Sequence, residues 1–85
     1  MTYTLAAVQF TQYFLATRLR PDRQLIDLAW VQSVIDLPLH RETQTDGRIR
    51  LWAPIAQNEG RYLRVVLLAD GVTVHNAFFD RGFKP

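Results

Sequence analysis

The chain of 85 residues is short enough for one domain, and 48% apolar with 21% charged residues argues against disorder. It contains no cysteine, which excludes disulfides and thiolate metal sites, so a continuous apolar core must stabilise the fold unless an oligomer contributes. No apolar run approaches the ~20 residues of a membrane span, and the N-terminus lacks a signal-peptide pattern. We therefore expect a cytoplasmic protein with no membrane segment.

Charge is distributed unevenly along the chain. Residues 1–46 carry a net charge of −1 and residues 47–85 a net charge of +3, and nine of the ten basic residues are arginine. Arginine binds phosphate or carboxylate through a planar pair of donors, so the second half favours an anionic partner. A solvated, arginine-rich surface explains the same composition.

The first half predicts two helices. Residues 5–18 contain neither glycine nor proline and carry apolar residues that suit a helix, which Pro21 ends. Asp27 is a candidate N-cap for a second helix over residues 28–36, and Pro38 ends it.

The second half changes to a period of two. Residues 48–53, 62–68 and 72–78 predict three strands, separated by turns at residues 58–60 and 70–71. Residues 39–45 predict an additional edge strand. Because short turns join antiparallel strands, we expect an α+β fold in which two N-terminal helices pack on a three- to four-stranded twisted antiparallel sheet.

Alternation assigns the strand side chains to two faces of this sheet. The set predicted to lie under the helices is Ile49, Leu51, Ala53, Leu63, Val65, Leu67, Val72, Val74, Asn76 and Phe78. The set predicted on the open face includes Arg48, Arg50, Trp52, Tyr62, Arg64, Thr73, His75 and Ala77. The outward position of His75 assumes that the last strand keeps one phase throughout.

The open face has the groups for RNA cleavage without a metal. His75 is the candidate base or acid, and Arg48 and Arg64 are candidates to stabilise the phosphate. Tyr62 is predicted to stack on a base or donate a proton. Further RNA contacts are predicted at Arg18, Arg50, Arg61, Arg81 and Lys84. We predict no cofactor and no metal, since no carboxylate pairing accompanies the two histidines.

The second half also resembles a known family. The runs QTDGRIRLW at 44–52, GRYLRVV at 60–66 and DGVTVHNAFFDR at 70–81 are similar to small bacterial proteins of the domain of unknown function 4258 group. The spacing of Trp30, Val34, Ile35 and Pro38 also fits, and the resemblance spans residues 11–84. This group is often placed with RelE-, MqsR- and BrnT-like toxins.

The resemblance implies a two-helix, antiparallel-sheet fold with a ribonuclease-like cleft, and a cognate antitoxin that covers the basic face. Relatives often carry a histidine near the position of Tyr13, followed by an arginine such as Arg18. If that histidine is catalytic in the relatives, either the catalytic activity of this protein is impaired or Tyr13 takes the role of the histidine.

Three hypotheses stay open at this point. The first is a toxin-type endoribonuclease that cleaves mRNA, at the ribosome or away from it. The second is a non-catalytic module that binds RNA or an acidic protein through the same face. In this case the arginines are a binding or solvated face and His75 is an ordinary surface or core residue. The third is a homodimer formed through the edge strand at residues 39–45.

Overall fold

The computed structural model describes residues 8–85, so residues 5–7 of the predicted first helix lie outside the described part. The elements are β1 (Gln9–Phe10), α1 (Gln12–Thr17), α2 (Leu28–Asp36), β2 (His40–Thr43), β3 (Ile49–Ile55), a 3₁₀ turn (Ala56–Asn58), β4 (Arg61–Leu67) and β5 (Thr73–Phe79). One sheet of order β1-β5-β4-β3-β2 contains all five strands. The α+β class is confirmed, whereas the predicted number of strands is too small by one.

The additional strand, β1, lies inside the segment predicted as helix. Thr11 has an extended backbone and its Oγ1 accepts a hydrogen bond from the Phe14 amide at 3.0 Å, so the helix begins only at α1. β1 pairs in parallel with Thr73 and Val74. The predictions of a helix across residues 8–11 and of a purely antiparallel sheet are therefore wrong.

The second helix has the predicted bounds and cap. Asp27 Oδ1 accepts a hydrogen bond from the Ala29 amide at 2.9 Å, which satisfies one donor of the first turn. Val31 and Val34 are fully buried in one core cluster with residues of β3, β4 and β5. The cluster also contains Phe14 of α1, so both helices cover the same face of the sheet.

Strand β3 continues past its predicted end and contains Pro54. Proline lacks the amide donor that a ladder needs. β2 flanks β3 only as far as the pairing of His40 with Trp52, so on that side no strand needs an amide donor from Pro54. On the other side Pro54 pairs with Tyr62 of β4.

Strand β5 changes phase at His75, near its start. Leu67 pairs with Val74 whereas Val66 pairs with Asn76, so β5 has one extra residue, His75, at this point. Such a β-bulge resets the alternation that follows it. Ala77 consequently lies in the core and Phe78 on the open face, opposite Arg64, which corrects the predicted faces of Asn76, Ala77 and Phe78.

Residues 80–85 fold back on the open face of the sheet. The Phe83 ring stacks on Trp52 with centroids 4.9 Å apart and contacts Tyr62 at 5.0 Å. Asp80 Oδ2 accepts a hydrogen bond from Trp52 Nε1 at 3.0 Å. Trp52 is therefore only 4% exposed, although it lies on the face without helices.

We expect Asp80→Asn to destabilise the protein by about 1–2 kcal/mol at neutral pH, because the carboxylate accepts the Trp52 hydrogen bond and faces Arg64. The Trp52 hydrogen bond, the backbone amides of Gly82 and Phe83, and Arg64 together hold the Asp80 pKa below its ordinary value. A carboxylate whose pKa is lowered by folding stabilises the protein at every pH above its unfolded-state pKa. This stabilisation is lost as the pH falls through its folded-state pKa.

Urea denaturation from about pH 7 down to about pH 2 measures this effect. The difference between wild type and Asp80→Asn should narrow below about pH 4. The control is Asp22→Asn, whose carboxylate is 72% exposed beside Arg23 and should change stability by less than about 0.5 kcal/mol. If the difference in unfolding free energy between wild type and Asp80→Asn did not change with pH, the stabilising role assigned to the Asp80 charge would be contradicted.

Candidate functional site

His75 lies at the bulge of β5, where α1 begins. Its Nδ1 is 3.2 Å from Thr11 Oγ1, the hydroxyl that caps α1. Its ring stacks on Tyr13 with centroids 4.8 Å apart and an interplanar angle of 22°. The imidazole is therefore held from two sides by the N-terminal turn of α1.

The surroundings of His75 favour the neutral imidazole. Burial lowers the pKa of His75 below its ordinary value of 6.5, and the positive charge of Arg48 lowers it further. At neutral pH the ring consequently has a lone pair on one nitrogen, which is the state that a general base requires.

The arginine whose charge acts on the pKa of His75 is Arg48, which directly precedes β3. Its side chain is 43% exposed, with Nε 3.8 Å from Asp46 Oδ2. A pair this exposed is screened by water and leaves the guanidinium accessible to an anion. Arg48 and His75 were both predicted for the site, and the charge of Arg48 acts on His75 across the intervening strand β4.

Arg50 is held by its neighbours in β2 and the turn that follows. Its Nη1 lies 4.0 Å from Glu42 Oε1 on the adjacent strand. With its amide oriented so that the oxygen faces the guanidinium, Gln44 accepts a hydrogen bond from Arg50 Nε at 3.0 Å. Arg50 therefore lies on the open face, but Glu42 offsets part of its charge and Gln44 occupies some of its hydrogen-bond donors.

Arg64, a predicted catalytic residue, is built into the packing of the open face. Its guanidinium lies over the rings of Trp52 and Phe78, at 5.5 and 5.2 Å from their centroids. Its Nη1 is 3.7 Å from Asp80 Oδ2, and its side chain is 22% exposed. Arg64 pairs with Phe78, three residues along β5 from His75, so it belongs to a separate cluster.

Tyr62 and Lys84 are on the same side as Arg64, at the end of the sheet covered by residues 80–85. Tyr62 packs on Phe83, and Lys84 lines an open groove beside His40 and Glu42. Tyr62 pairs with Pro54 at the far end of β4 from the bulge, so it lies away from His75.

Three other predicted contacts lie off the open face. Arg61 and Arg81 line a cleft between the helix-connecting segment and the start of β4. Arg18 ends α1 and lines a small cavity with Phe14 and Thr17. The structure thus distributes the predicted site residues over several separate groups and does not assemble them as one site.

Sequence reasoning missed two members of the His75 group and one other arginine. Thr11 carried a detectable signal, because a threonine before a helical segment is a common N-cap. Tyr13 was singled out only through the resemblance. Arg23 had no signal, since its bonds to Asn76 Oδ1 and the Ala77 carbonyl at 2.9 and 3.3 Å depend on the tertiary fold.

Within residues 8–85, no three histidine, cysteine or acidic side chains are grouped as metal ligands. Over the same residues, no helix is long and apolar enough to cross a membrane. Comparisons of the chain with protein-family models, with curated proteins and with solved structures give no match. The resemblance to the domain of unknown function 4258 group consequently stays a prediction.

We expect Arg48→Gln to raise the pKa of His75, because the substitution removes the positive charge that opposes imidazole protonation. Titration of the His75 ring protons by NMR measures this shift, with His40→Asn used to assign the two histidines. Arg41→Gln is the matched control, since Arg41 is exposed on β2 and should leave the titration unchanged. An unchanged or lower pKa in Arg48→Gln would refute the electrostatic link.

Proposed function

We propose that the protein is a metal-independent endoribonuclease of the toxin type, with His75 as its acid–base group. The observation that supports this most is the neutral imidazole of His75, oriented by Thr11 and Tyr13 and close to the positive charge of Arg48. A base and a cation that stabilises the phosphate are two of the groups needed for cleaving RNA through its own 2′-hydroxyl, and an acid for the leaving oxygen is the third.

In the proposed reaction, His75 takes the proton of the 2′-hydroxyl, and the 2′-oxygen forms a bond to the adjacent phosphorus. The bond from phosphorus to the 5′-oxygen breaks, and that oxygen receives a proton from an acid. The products are a 2′,3′-cyclic phosphate and a 5′-hydroxyl. Arg48 stabilises the charge on the phosphate, and the Tyr13 hydroxyl, on a side chain that is 48% exposed, supplies the proton.

Thr11 holds the His75 ring through Nδ1, and its hydroxyl can either accept a hydrogen bond from Nδ1–H or donate one to Nδ1. We propose the first arrangement. Thr11 Oγ1 already accepts from the Phe14 amide and retains a second lone pair for the His75 Nδ1–H. With Nδ1 as the donor, the lone pair of neutral His75 is on Nε2, which is then the nitrogen that removes the proton.

A toxin of this type implies a protein partner and an RNA substrate. An antitoxin would cover the face bearing Arg48 and His75, and the substrate would be mRNA, free or on the ribosome, in the cytoplasm. Both helices pack on one face of the sheet, which leaves the face bearing Arg48 and His75 without helices and open to such a partner. Strand β2 is an exposed edge, which is where we propose that a homodimer would pair.

The second candidate is a non-catalytic module that binds RNA or an acidic protein through the open face. The observation in its favour is Arg64, whose guanidinium is paired with Asp80 and packed on Trp52 and Phe78 rather than directed at His75. With Arg64 used for packing, Arg48 and Arg50 carry most of the charge that this face offers to an anion.

We expect the purified protein to cleave RNA in EDTA, and His75→Ala to reduce the rate by about 100-fold or more, because general acid–base groups contribute that much. The rate should rise with pH through the lowered pKa of His75, below 6.5, and then level off. The assay separates cleavage products on a gel and tests them for 2′,3′-cyclic phosphate. Expression should also arrest growth in the wild type and not in His75→Ala.

His40→Ala is the matched control, since His40 is exposed on β2 and pairs with Glu42. Equal loss of activity in both histidine variants would argue against the assignment. Arg64→Ala is a poor test, because it removes a packed side chain together with its charge.

Cleavage absent with and without ribosomes, combined with harmless expression, would rule out the ribonuclease and leave the binding module. In that case, RNA affinity should fall steeply with salt, and Arg48→Gln or Arg50→Gln should each reduce the slope by about one. Filter binding at several salt concentrations measures the slope, with Arg41→Gln as the control. A salt-independent affinity would exclude this module as well.

A further inference from the structure

A second arginine-lined cleft lies at the opposite end of β5 from His75. β1 covers the outer edge of β5 only at Thr73 and Val74. Beyond this point Arg23, in the segment between α1 and α2, bonds to Asn76 and Ala77 of β5. The space between that segment, α2 and the start of β4 is a cleft of about 630 Å³. This volume is within the usual range for small-molecule sites.

The charge of the cleft is positive. Arg23, Arg61 and Arg81 line it, together with the single acidic residue Asp22. Arg61 lies 3.7 Å from Glu59, but these side chains are 60% and 82% exposed, so water screens the pair. Among the described residues, no carboxylate is within 4.0 Å of Arg81. At least two guanidinium groups are therefore available to an anion.

The wall of the cleft is aromatic. Trp30 and Phe79 meet edge to face with centroids 6.1 Å apart, and both are only partly buried. Phe78 adds a third ring, with the Arg23 guanidinium 5.3 Å from its centroid. Such a wall binds a flat ring by stacking, while arginines at the same site bind phosphate through paired donors.

A peptide strand is a poorer fit to the same cleft. Peptides that extend a sheet need unpaired backbone groups along its edge. At Ala77 these groups are occupied, since the carbonyl accepts from Arg23 Nη1 at 3.3 Å and the amide donates to Asn76 Oδ1 at 3.0 Å. Recognition at this edge must therefore come from side chains.

We propose that this cleft binds a small ligand in which a phosphate is joined to a flat aromatic ring, namely a free nucleoside phosphate. Arg61 and Arg81 bind the phosphate, and the ring lies against Trp30 and Phe79. The site does not depend on the ribonuclease proposal, because it shares no residue with the His75 group.

Isothermal titration calorimetry of the full chain with AMP, adenosine and inorganic phosphate tests this site. AMP should bind saturably, and adenosine and phosphate should each bind at least about tenfold more weakly, because each lacks one half of the recognition. Arg61→Gln and Arg81→Gln should each weaken AMP binding by roughly tenfold. Both side chains are exposed, and thermal unfolding will show that the variants remain folded.

Two control variants separate this site from the others. Arg41→Gln removes an exposed arginine on β2 and should leave AMP binding unchanged, as should His75→Ala at the other end of β5. Adenosine binding as tightly as AMP, or AMP affinity unaffected by Arg61→Gln and Arg81→Gln, would overturn the proposal. Binding of an RNA oligonucleotide or an acidic peptide without binding of AMP would overturn it as well.

Discussion

The extra residue in β5 is the constraint on which the rest of the structure depends. Without it, strict alternation would place Phe78 under the helices and Ala77 on the open face. The bulge at His75 reverses this, so the small Ala77 packs in the core and Phe78 supports Arg64 on the other side. It also leaves the His75 ring beside the cap of α1, where Thr11 and Tyr13 hold it. One insertion thus determines both the packing of the open face and the geometry of the candidate base.

A second consequence concerns the arginines. An arginine on a sheet face without helices would ordinarily be solvated, with its charge available to a ligand. Arg64 differs because residues 80–85 supply a carboxylate and cover the neighbouring Trp52. Burial lowers the pKa of Arg64, but a guanidinium stays charged at ordinary pH, so the side chain needs Asp80 as its counterion. The middle of the open face is accordingly a structural ion pair flanked by aromatic rings.

The parts of the fold that the sequence predicts are those governed by local rules. Asp27 and Pro38 bound α2 because capping and the loss of an amide donor act over a few residues. The faces of β3 and β4 follow from alternation, which stays unbroken in the pairing of Leu51 with Val65 and of Ala53 with Leu63. Gly60 and Gly71 both have positive φ, as expected at the turns predicted at residues 58–60 and 70–71.

What the sequence does not predict depends on contacts between distant segments. The two residues of β1 are extended because β5 is there to pair with them, and their local composition suits a helix equally well. A bulge has no signature in a period-two pattern, so the position of His75 could only be assumed. The bonds of Arg23 to Asn76 and Ala77 span more than 50 residues of chain.

The accessible positive charge is consequently found at the two ends of β5 rather than in its middle. At one end Arg48 lies near a neutral histidine, which suits chemistry on a phosphate that is bound only briefly. At the other end Arg61 and Arg81 lie beside aromatic rings and no histidine, which suits retention of a ligand without reaction. Arg64 and Asp80 form a pair of opposite charges beside Phe78, and such a pair has a weak field at a distance. A ligand at either end therefore experiences mainly the charges of its own group.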